Sequence, residues 1–126
     1  VQSAVVVELA AFLSKKRVLA MTTFSNPEDQ KLATLAHATL KRSGAAQAAA
    51  LRDNTGRTYV AINISTSSLT LDACDSVFTV AMASGISGIE SVVVVGDKPS
   101  KPGALRDFSS SATLFYCADN GEISTL

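Results

Sequence analysis

Apolar residues recur at helical spacing from residue 27 to about residue 41, and this pattern predicts an amphipathic helix with one inward face. Asn26 is a favourable cap before the segment, and Pro27 suits a first helical turn. Lys41 and Arg42 complement the negative end of the helix dipole, and Gly44 favours its termination. We therefore expect the first confident element of the chain here.

Two extended segments, 46–52 and 57–64, follow the first helix and predict a pair of strands. The second of them is rich in β-branched and aromatic residues, which is typical of a strand. Between them stands Asp53-Asn54-Thr55-Gly56, a hairpin signature with glycine where a positive φ is needed. Residues 63–68 are polar and predict a loop after the hairpin.

A second helix is predicted over residues 73–84, with Thr70 or Asp72 as its cap and Gly85 at its end. Its apolar residues surround most of the helix circumference. A helix that is apolar nearly all round is expected to be central and buried. We therefore predict that this helix is enclosed by the rest of the molecule.

The last third of the chain predicts two buried strands, at 91–97 and 112–117, with a short helix at 104–109 between them. The first strand has no polar alternation, which indicates that it is covered on both faces, as in a parallel sheet. A turn at 119–121 precedes a short tail. The element order α-β-β-α-β-α-β predicts the α/β class, as a three-layer α/β/α sandwich around a mixed five-stranded sheet with some short strands.

Composition narrows the functional classes. The chain has 126 residues, of which 47% are apolar, and its 11 basic and 11 acidic residues cancel. A neutral balance offers no support for nucleic-acid binding. Residues 1–24 predict an N-terminal extension, for which a helical and dispensable segment is one interpretation, before a domain at 25–126. The apolar run within residues 1–13 is too short to span a bilayer and its positive charges come after it, so no membrane segment is predicted.

Three residues are of types that often react or bind metals, but their sequence surroundings do not favour such roles. Cys74 and Cys117 lie far apart in apolar settings, so we predict buried free thiols and a cytoplasmic location. His37 is the only histidine and falls on the flank of the first helix, where a surface or boundary role is expected.

Five segments together resemble the small zinc-dependent cytidine deaminases. That family shows D-G-R in a hairpin, N-V-E-N and T-x-C-A-E before a helix, an A-V-V strand and then P-C-x-x-C-R-Q. The corresponding segments here are 53–57, 63–66, 69–74, 92–95 and 102–108. The resemblance implies the cytidine deaminase-like fold over about residues 25–126. It also implies where a catalytic zinc and its general acid/base would lie.

Placed on this chain, the family's zinc chemistry lacks its residues. If the second helix is aligned on its end at Gly85, Asp72 takes the first ligand position and Cys74 the glutamate position. If the preceding loop is aligned without a gap, Cys74 becomes the first ligand and Ser76 replaces the glutamate. We prefer the first register, since gaps fall in loops more readily than in a buried helix. In either register the glutamate is missing.

The second zinc motif is also changed, since Pro102 and Leu105 stand where the family has its two cysteines. We therefore predict no catalytic residues, no metal and no cofactor. The resemblance leaves Asn63, which in the family would touch the ribose, as a weak substrate-binding candidate.

The resulting hypothesis is a cytidine deaminase-like pseudoenzyme that acts as a scaffold or partner-binding module. The resemblance further implies a homo-oligomer, a dimer or a tetramer. One alternative is a nucleoside-binding sensor. Another is an enzyme acting on a nucleoside-like substrate in the same cleft, a hydrolase of the deaminase type or one using Cys74 as nucleophile.

Overall fold

The computed structural model describes residues 23–99 and 101–126, and the following elements lie within them. The helices are α1 (Pro27–Ser43), α2 (Ala73–Ala83) and α3 (Gly103–Phe108), and the strands are β1 (Gln47–Asp53), β2 (Thr58–Ile62), β3 (Ile64–Ser65), β4 (Thr70–Leu71), β5 (Ile89–Gly96), β6 (Thr113–Cys117) and β7 (Ile123–Thr125). The predicted N-terminal extension lies outside the described residues apart from its last two positions. No helix in the described ranges is long and apolar enough to cross a bilayer.

The main sheet of the described residues has five strands in the order β2-β1-β5-β6-β7. β1 is antiparallel to both β2 and β5, β5 is parallel to β6, and β6 is antiparallel to β7. The sheet is therefore mixed, as predicted. The prediction of a sheet with helices on both faces is also confirmed, because two separate cores flank it.

One core lies between the sheet and α1, and the other lies between the sheet and the pair α2 and α3. Alternate residues of β5 supply both cores: Val93 and Val95 face α1, whereas Val92 and Val94 face α2. All four valines are fully buried, which confirms the prediction of a strand covered on both faces. Burial of such a strand is a main source of hydrophobic stabilisation in the fold.

Helix α2 differs from the prediction, because only one face of it is enclosed. Ala73, Cys74, Val77 and Ala81 are buried, whereas Val80 and Met82 are 42% and 43% exposed. The error came from composition, since an apolar helix surface does not by itself say how many neighbours are available to cover it. In the described part of the chain, α2 packs against β1 and β2 of the sheet and against α3.

The segment predicted as a polar loop contains a small ribbon, β3 paired antiparallel with β4. The two strands are joined by a turn in which the Thr66 N–H donates to the Leu69 carbonyl at 2.8 Å. The predicted tail likewise contains β7, which pairs with β6. These short strands depend on pairing with a neighbouring strand, and they are too short to show a clear strand pattern in the sequence.

Candidate functional site

A polar cleft lies at one end of the main sheet, beside the start of α2. It has a volume of about 310 Å³, which is the lower end of the range typical of ligand sites. Its lining comes from the start of β1, the end of β5, the β3–β4 ribbon and the approach to α3. The lining residues are Ala46, Gln47, Asn63, Ile64, Ser65, Thr70, Leu71, Asp72, Asp97, Lys98 and Lys101.

Gln47 is the central polar residue of this cleft, and its side chain joins two distant segments. Its Oε1 accepts a hydrogen bond from the Ala73 N–H at 2.8 Å, and its Nε2 donates to the Asp97 carbonyl at 2.9 Å. The side chain therefore satisfies one of the free N–H groups at the start of α2 and a carbonyl just after β5. Gln47 is only 6% exposed, so both of these bonds are sheltered from water.

Asp72 caps α2, as one of the two predicted alternatives requires. Its Oδ1 accepts from the Asp75 N–H at 3.0 Å, and its Oδ2 accepts from the Lys101 N–H at 2.8 Å. The first bond is an ordinary N-cap. The second ties the approach to α3 to the start of α2. Both carboxylate oxygens thus already hold backbone donors of the same chain.

Cys74 does not line the polar cleft, and its side chain lies in the core between α2 and the sheet. It is fully buried among apolar residues such as Leu51 and Leu105. Burial, and then the neighbouring carboxylates of Asp72 and Asp75, raise the pKa of the Cys74 thiol to about 12. A thiol in this setting stays protonated at neutral pH, which disfavours both metal binding and nucleophilic attack.

The second motif contributes structure to the site and no donor atoms. Pro102 caps α3 without a side-chain hydrogen bond, and Leu105 is fully buried in the same core as Cys74. Neither side chain can coordinate a metal. The side chains of Pro102 and Leu105 therefore stand at the positions of α3 and its cap where the resemblance implies two cysteine thiolates.

These side chains do not fit a zinc site. Zinc needs about three deprotonated nitrogen, sulfur or oxygen ligands held in tetrahedral geometry. In the preferred register, the residue at the first ligand position has both oxygens bonded to backbone, the residues at the other two ligand positions have no donor, and the residue at the glutamate position is a buried thiol. Across residues 23–99 and 101–126, no three His, Cys, Asp or Glu side chains come together in a cluster that could hold a metal ion. The absence of a bound zinc ion stays a prediction.

Asn63 lies in the cleft, as its position in the motif implied. Its Oδ1 accepts from the Gln47 N–H at 2.9 Å, and its own N–H donates to the Gln47 carbonyl at 3.3 Å. The side chain thereby extends the pairing of β1 and β2 by one residue. Asn63 therefore has a structural role, and any role in ligand binding remains a prediction.

Gly96 allows the close approach that shapes the floor of the cleft. It has a φ of 91°, and a Cβ added there would lie 2.3 Å from the Ala46 carbonyl oxygen. Because no side chain fits at that distance, glycine is required where β5 ends beside the start of β1. The Tyr116 hydroxyl also donates to the Gly96 carbonyl at 2.5 Å, which anchors β6 at the same point.

Gln47, the residue that organises the cleft, is not among the site residues predicted from the sequence. A signal was available, because Gln47 is a single polar residue in a strand otherwise made of alanines and leucine up to residue 51. Arg106 stands at the arginine position of the P-C-x-x-C-R-Q motif, and its guanidinium donates to the carbonyls of Ala112 and Leu126. His37 is exposed on α1, as predicted, and lies outside the cleft.

Comparison with known proteins assigns the family. The sequence model described as "Cytidine deaminase-like" matches residues 25–121. The chain belongs to the cytidine deaminase-like family. No curated protein sequence matches the chain.

Two solved structures show how closely the fold follows this family. Cytidine deaminase from Burkholderia pseudomallei is similar with a TM-score of 0.64 at 19% identity, over 77% of this chain and 90% of that one. Cytidine deaminase from Mycobacterium leprae is similar with a TM-score of 0.58 at 17% identity, over 76% of this chain and 91% of that one. At such identities the likeness establishes the fold, so the predicted cytidine deaminase-like architecture is confirmed and the activity is a separate question.

Proposed function

We propose that this protein is a member of the cytidine deaminase-like family without zinc-dependent deamination, acting as a scaffold or partner-binding module. One observation supports this most strongly. The polar groups at the start of α2 are bonded to the chain itself, through Gln47 and Asp72. An active site of this kind needs such groups free for metal and substrate.

The chemistry of deamination makes the argument specific. The reaction uses a zinc-activated water and a glutamate that moves the proton without binding the metal. In the preferred register, Cys74 takes the place of that glutamate. A thiol whose pKa is raised to about 12, mainly by burial, stays protonated near neutral pH, so it cannot accept a proton from water as the glutamate does.

The test is metal analysis combined with a turnover assay on the purified protein, incubated with zinc and then desalted. We expect less than a tenth of a zinc ion per chain and no release of ammonia from cytidine or deoxycytidine. The Asp72→Asn variant is the matched control, because an asparagine oxygen still caps the helix. One zinc per chain with cytidine turnover, both lost in Asp72→Asn, would refute the proposal.

The proposal includes self-association and a cytoplasmic location. Leu69 and Met82 are 48% and 43% exposed, and contact with another subunit would remove these apolar side chains from water. The two buried free thiols suit a reducing compartment. Light scattering after size exclusion should give a dimer or tetramer mass, and Met82→Lys should lower it. A monomer mass at all concentrations would remove the oligomer from the proposal.

A second candidate function is nucleoside binding without reaction, or action on a nucleoside-like substrate by other chemistry. It is favoured by the presence of the cleft itself with Asn63 in its wall. A thermal-shift series with pyrimidine and purine nucleosides tests it, because binding to the folded state raises the melting temperature. A shift that Asn63→Ala abolishes would favour this candidate, and silence at millimolar ligand would dismiss it. Failure of native Cys74 to react with iodoacetamide would dismiss a thiol nucleophile.

A further inference from the structure

An apolar groove adjoins the polar cleft at the β3–β4 ribbon. It has a volume of about 370 Å³ and is bounded by the end of β2, the ribbon and one side of α2. Its lining residues are Ala61, Ile62, Ile64, Leu71, Ser76, Thr79 and Val80. Ile64 and Leu71 line both the groove and the cleft, so the two cavities are neighbours that share the ribbon.

Ser76 distinguishes this groove from an ordinary gap between side chains. It is 4% exposed, and its hydroxyl has no hydrogen-bond partner among the described residues. Other hydroxyls of the same helical segment are satisfied: Thr79 donates to the Asp75 carbonyl at 2.9 Å, and Ser84 donates to the Val80 carbonyl at 3.3 Å. Helical serines and threonines commonly make this bond to the residue four positions earlier. Ser76 does not.

A buried hydroxyl without a partner is unfavourable and therefore asks for an explanation. Ser76 lies in the wall of a groove that is otherwise apolar, which is the usual composition of a small-molecule site: an apolar lining with a few polar groups that orient the ligand. Rotation about the Cα–Cβ bond carries the serine hydroxyl between staggered positions. A ligand atom seated in the groove can thus be met by the hydroxyl.

The lining also limits the chemistry of the occupant. None of the described residues that line the groove carries a charge. A charged ligand would lose its hydration without gaining a counter-ion, which is strongly unfavourable. The occupant that complements this surface is uncharged, has an apolar body and offers one oxygen to the serine.

We propose that the groove between α2 and the β3–β4 ribbon is a binding site for a small uncharged molecule with an apolar body and a single hydrogen-bonding oxygen, held by Ser76. This inference goes beyond the proposed function and does not depend on it. Nothing in it requires the polar cleft to be active or inactive.

The test uses methyl-labelled protein and three matched probes: benzyl alcohol, toluene and benzoate. The alcohol has the required oxygen, toluene lacks it, and benzoate adds a charge. We expect benzyl alcohol to shift the methyl signals of Ile64, Leu71 and Val80 in a saturable way. Toluene should bind more weakly by roughly three- to tenfold, the range of one hydrogen bond. Benzoate should cause no saturable shift.

Two variants make the assignment specific. Ser76→Ala should weaken benzyl alcohol by a similar factor and leave toluene unchanged, while folding at least as well as the parent. Val80→Lys should abolish binding of both by placing a charge at the mouth of the groove. Ser84→Ala is the control, because it removes a hydroxyl from the same helical segment that already has a partner.

Several results would overturn the proposal. These are the absence of saturable methyl shifts with any probe, equal affinity for alcohol and toluene, equal affinity for benzoate, and no loss in Ser76→Ala. Concentration-dependent shifts of the same three methyls without a probe would also overturn it, because they would show that a second copy of the chain occupies the groove.

Discussion

At each end of β1, a buried side chain forms hydrogen bonds with backbone groups, but the two side chains do so in different ways. At one end, Asp53 is fully buried and accepts hydrogen bonds from the Thr55 N–H and the Arg57 N–H at 2.9 Å each. At the other end, Gln47 is nearly as buried and bonds Ala73 and Asp97. Each side chain satisfies backbone groups that the sheet leaves unpaired.

The difference between them is one of range and of charge. Every side-chain partner of Asp53 lies within four residues, and the side chain is ionised. The partners of Gln47 lie 26 and 50 residues away along the chain, and the side chain is neutral. The charged side chain of Asp53 stabilises one hairpin through local bonds, whereas the neutral side chain of Gln47 holds α2 and the end of β5 in place through long-range bonds. Substitution of Asp53 should therefore have the larger effect on stability, and substitution of Gln47 should change the geometry of the cleft.

The largest effect is expected from Asp53→Ala. It removes all four hydrogen bonds that this buried carboxylate accepts from Thr55 and Arg57, so we expect a loss of about 3 kcal/mol in the free energy of unfolding. Urea denaturation measures it. Asp107→Ala, at an exposed position of α3, is the control and should change stability by less than about 0.5 kcal/mol. A similar small loss at Asp53 would mean that the hairpin does not depend on its carboxylate.

The contribution of the ionised Asp53 side chain to stability should be lost at acidic pH. Burial alone would raise the pKa of Asp53, but the hydrogen bonds from Thr55 and Arg57 outweigh it and lower that pKa to about 2. An unperturbed aspartate has a pKa of about 3.9. Between these values the unfolded chain binds more protons than the folded one, so the contribution is complete above about pH 4 and is lost as the pH falls towards 2.

The measurement for this prediction is the stability of the wild type minus that of Asp53→Asn, followed from pH 6 to pH 2. The other carboxylates are shared by both proteins, so their titrations largely cancel in the difference. We expect the difference to be constant above about pH 4 and to shrink below it. A difference that does not change with pH would show that the carboxylate is not stabilised in its charged form.

Gln47→Met should have a moderate effect on stability and a specific effect on α2. The methionine matches the glutamine in length but removes both bonds, which leaves the Ala73 N–H and the Asp97 carbonyl unpaired. We expect a loss of about 2 kcal/mol, together with faster hydrogen exchange at the Ala73 amide. Gln30→Met makes the same change on the exposed side of α1 and should do neither. Unchanged exchange at Ala73 would contradict the role given to Gln47.

The smallest effect is expected from Asn63→Ala. It removes one partly buried bond to the Gln47 N–H, so the loss should be about 1 kcal/mol. The Gln47 amide should exchange faster, whereas the amides around Asp53 at the other end of β1 should not. Equal acceleration at both ends would mean that the strand opens as a unit and that its two ends are not stabilised separately.

Most of the architecture could be predicted from sequence because it depends on neighbours close in the chain. The hairpin at 53–57 was predicted from its turn residues, and the burial of β5 was predicted from its unbroken run of valines. The segments that resembled known motifs also pointed to the correct family. Patterns of this kind work because helical and strand periodicity, capping and turn chemistry act over a few residues.

Local patterns in the sequence were therefore enough to place the helices and the main strands, and to show that the positions resembling zinc ligands lack ligand side chains. Contacts between distant segments were needed to show that Gln47 joins α2 to the end of β5, that one side of α2 is exposed, and that Ser76 has no hydrogen-bond partner among the described residues beside an apolar groove. The physical reason is common to all three. Burial and hydrogen-bond satisfaction depend on which distant segment lies opposite a side chain, and neither spacing nor composition specifies that neighbour.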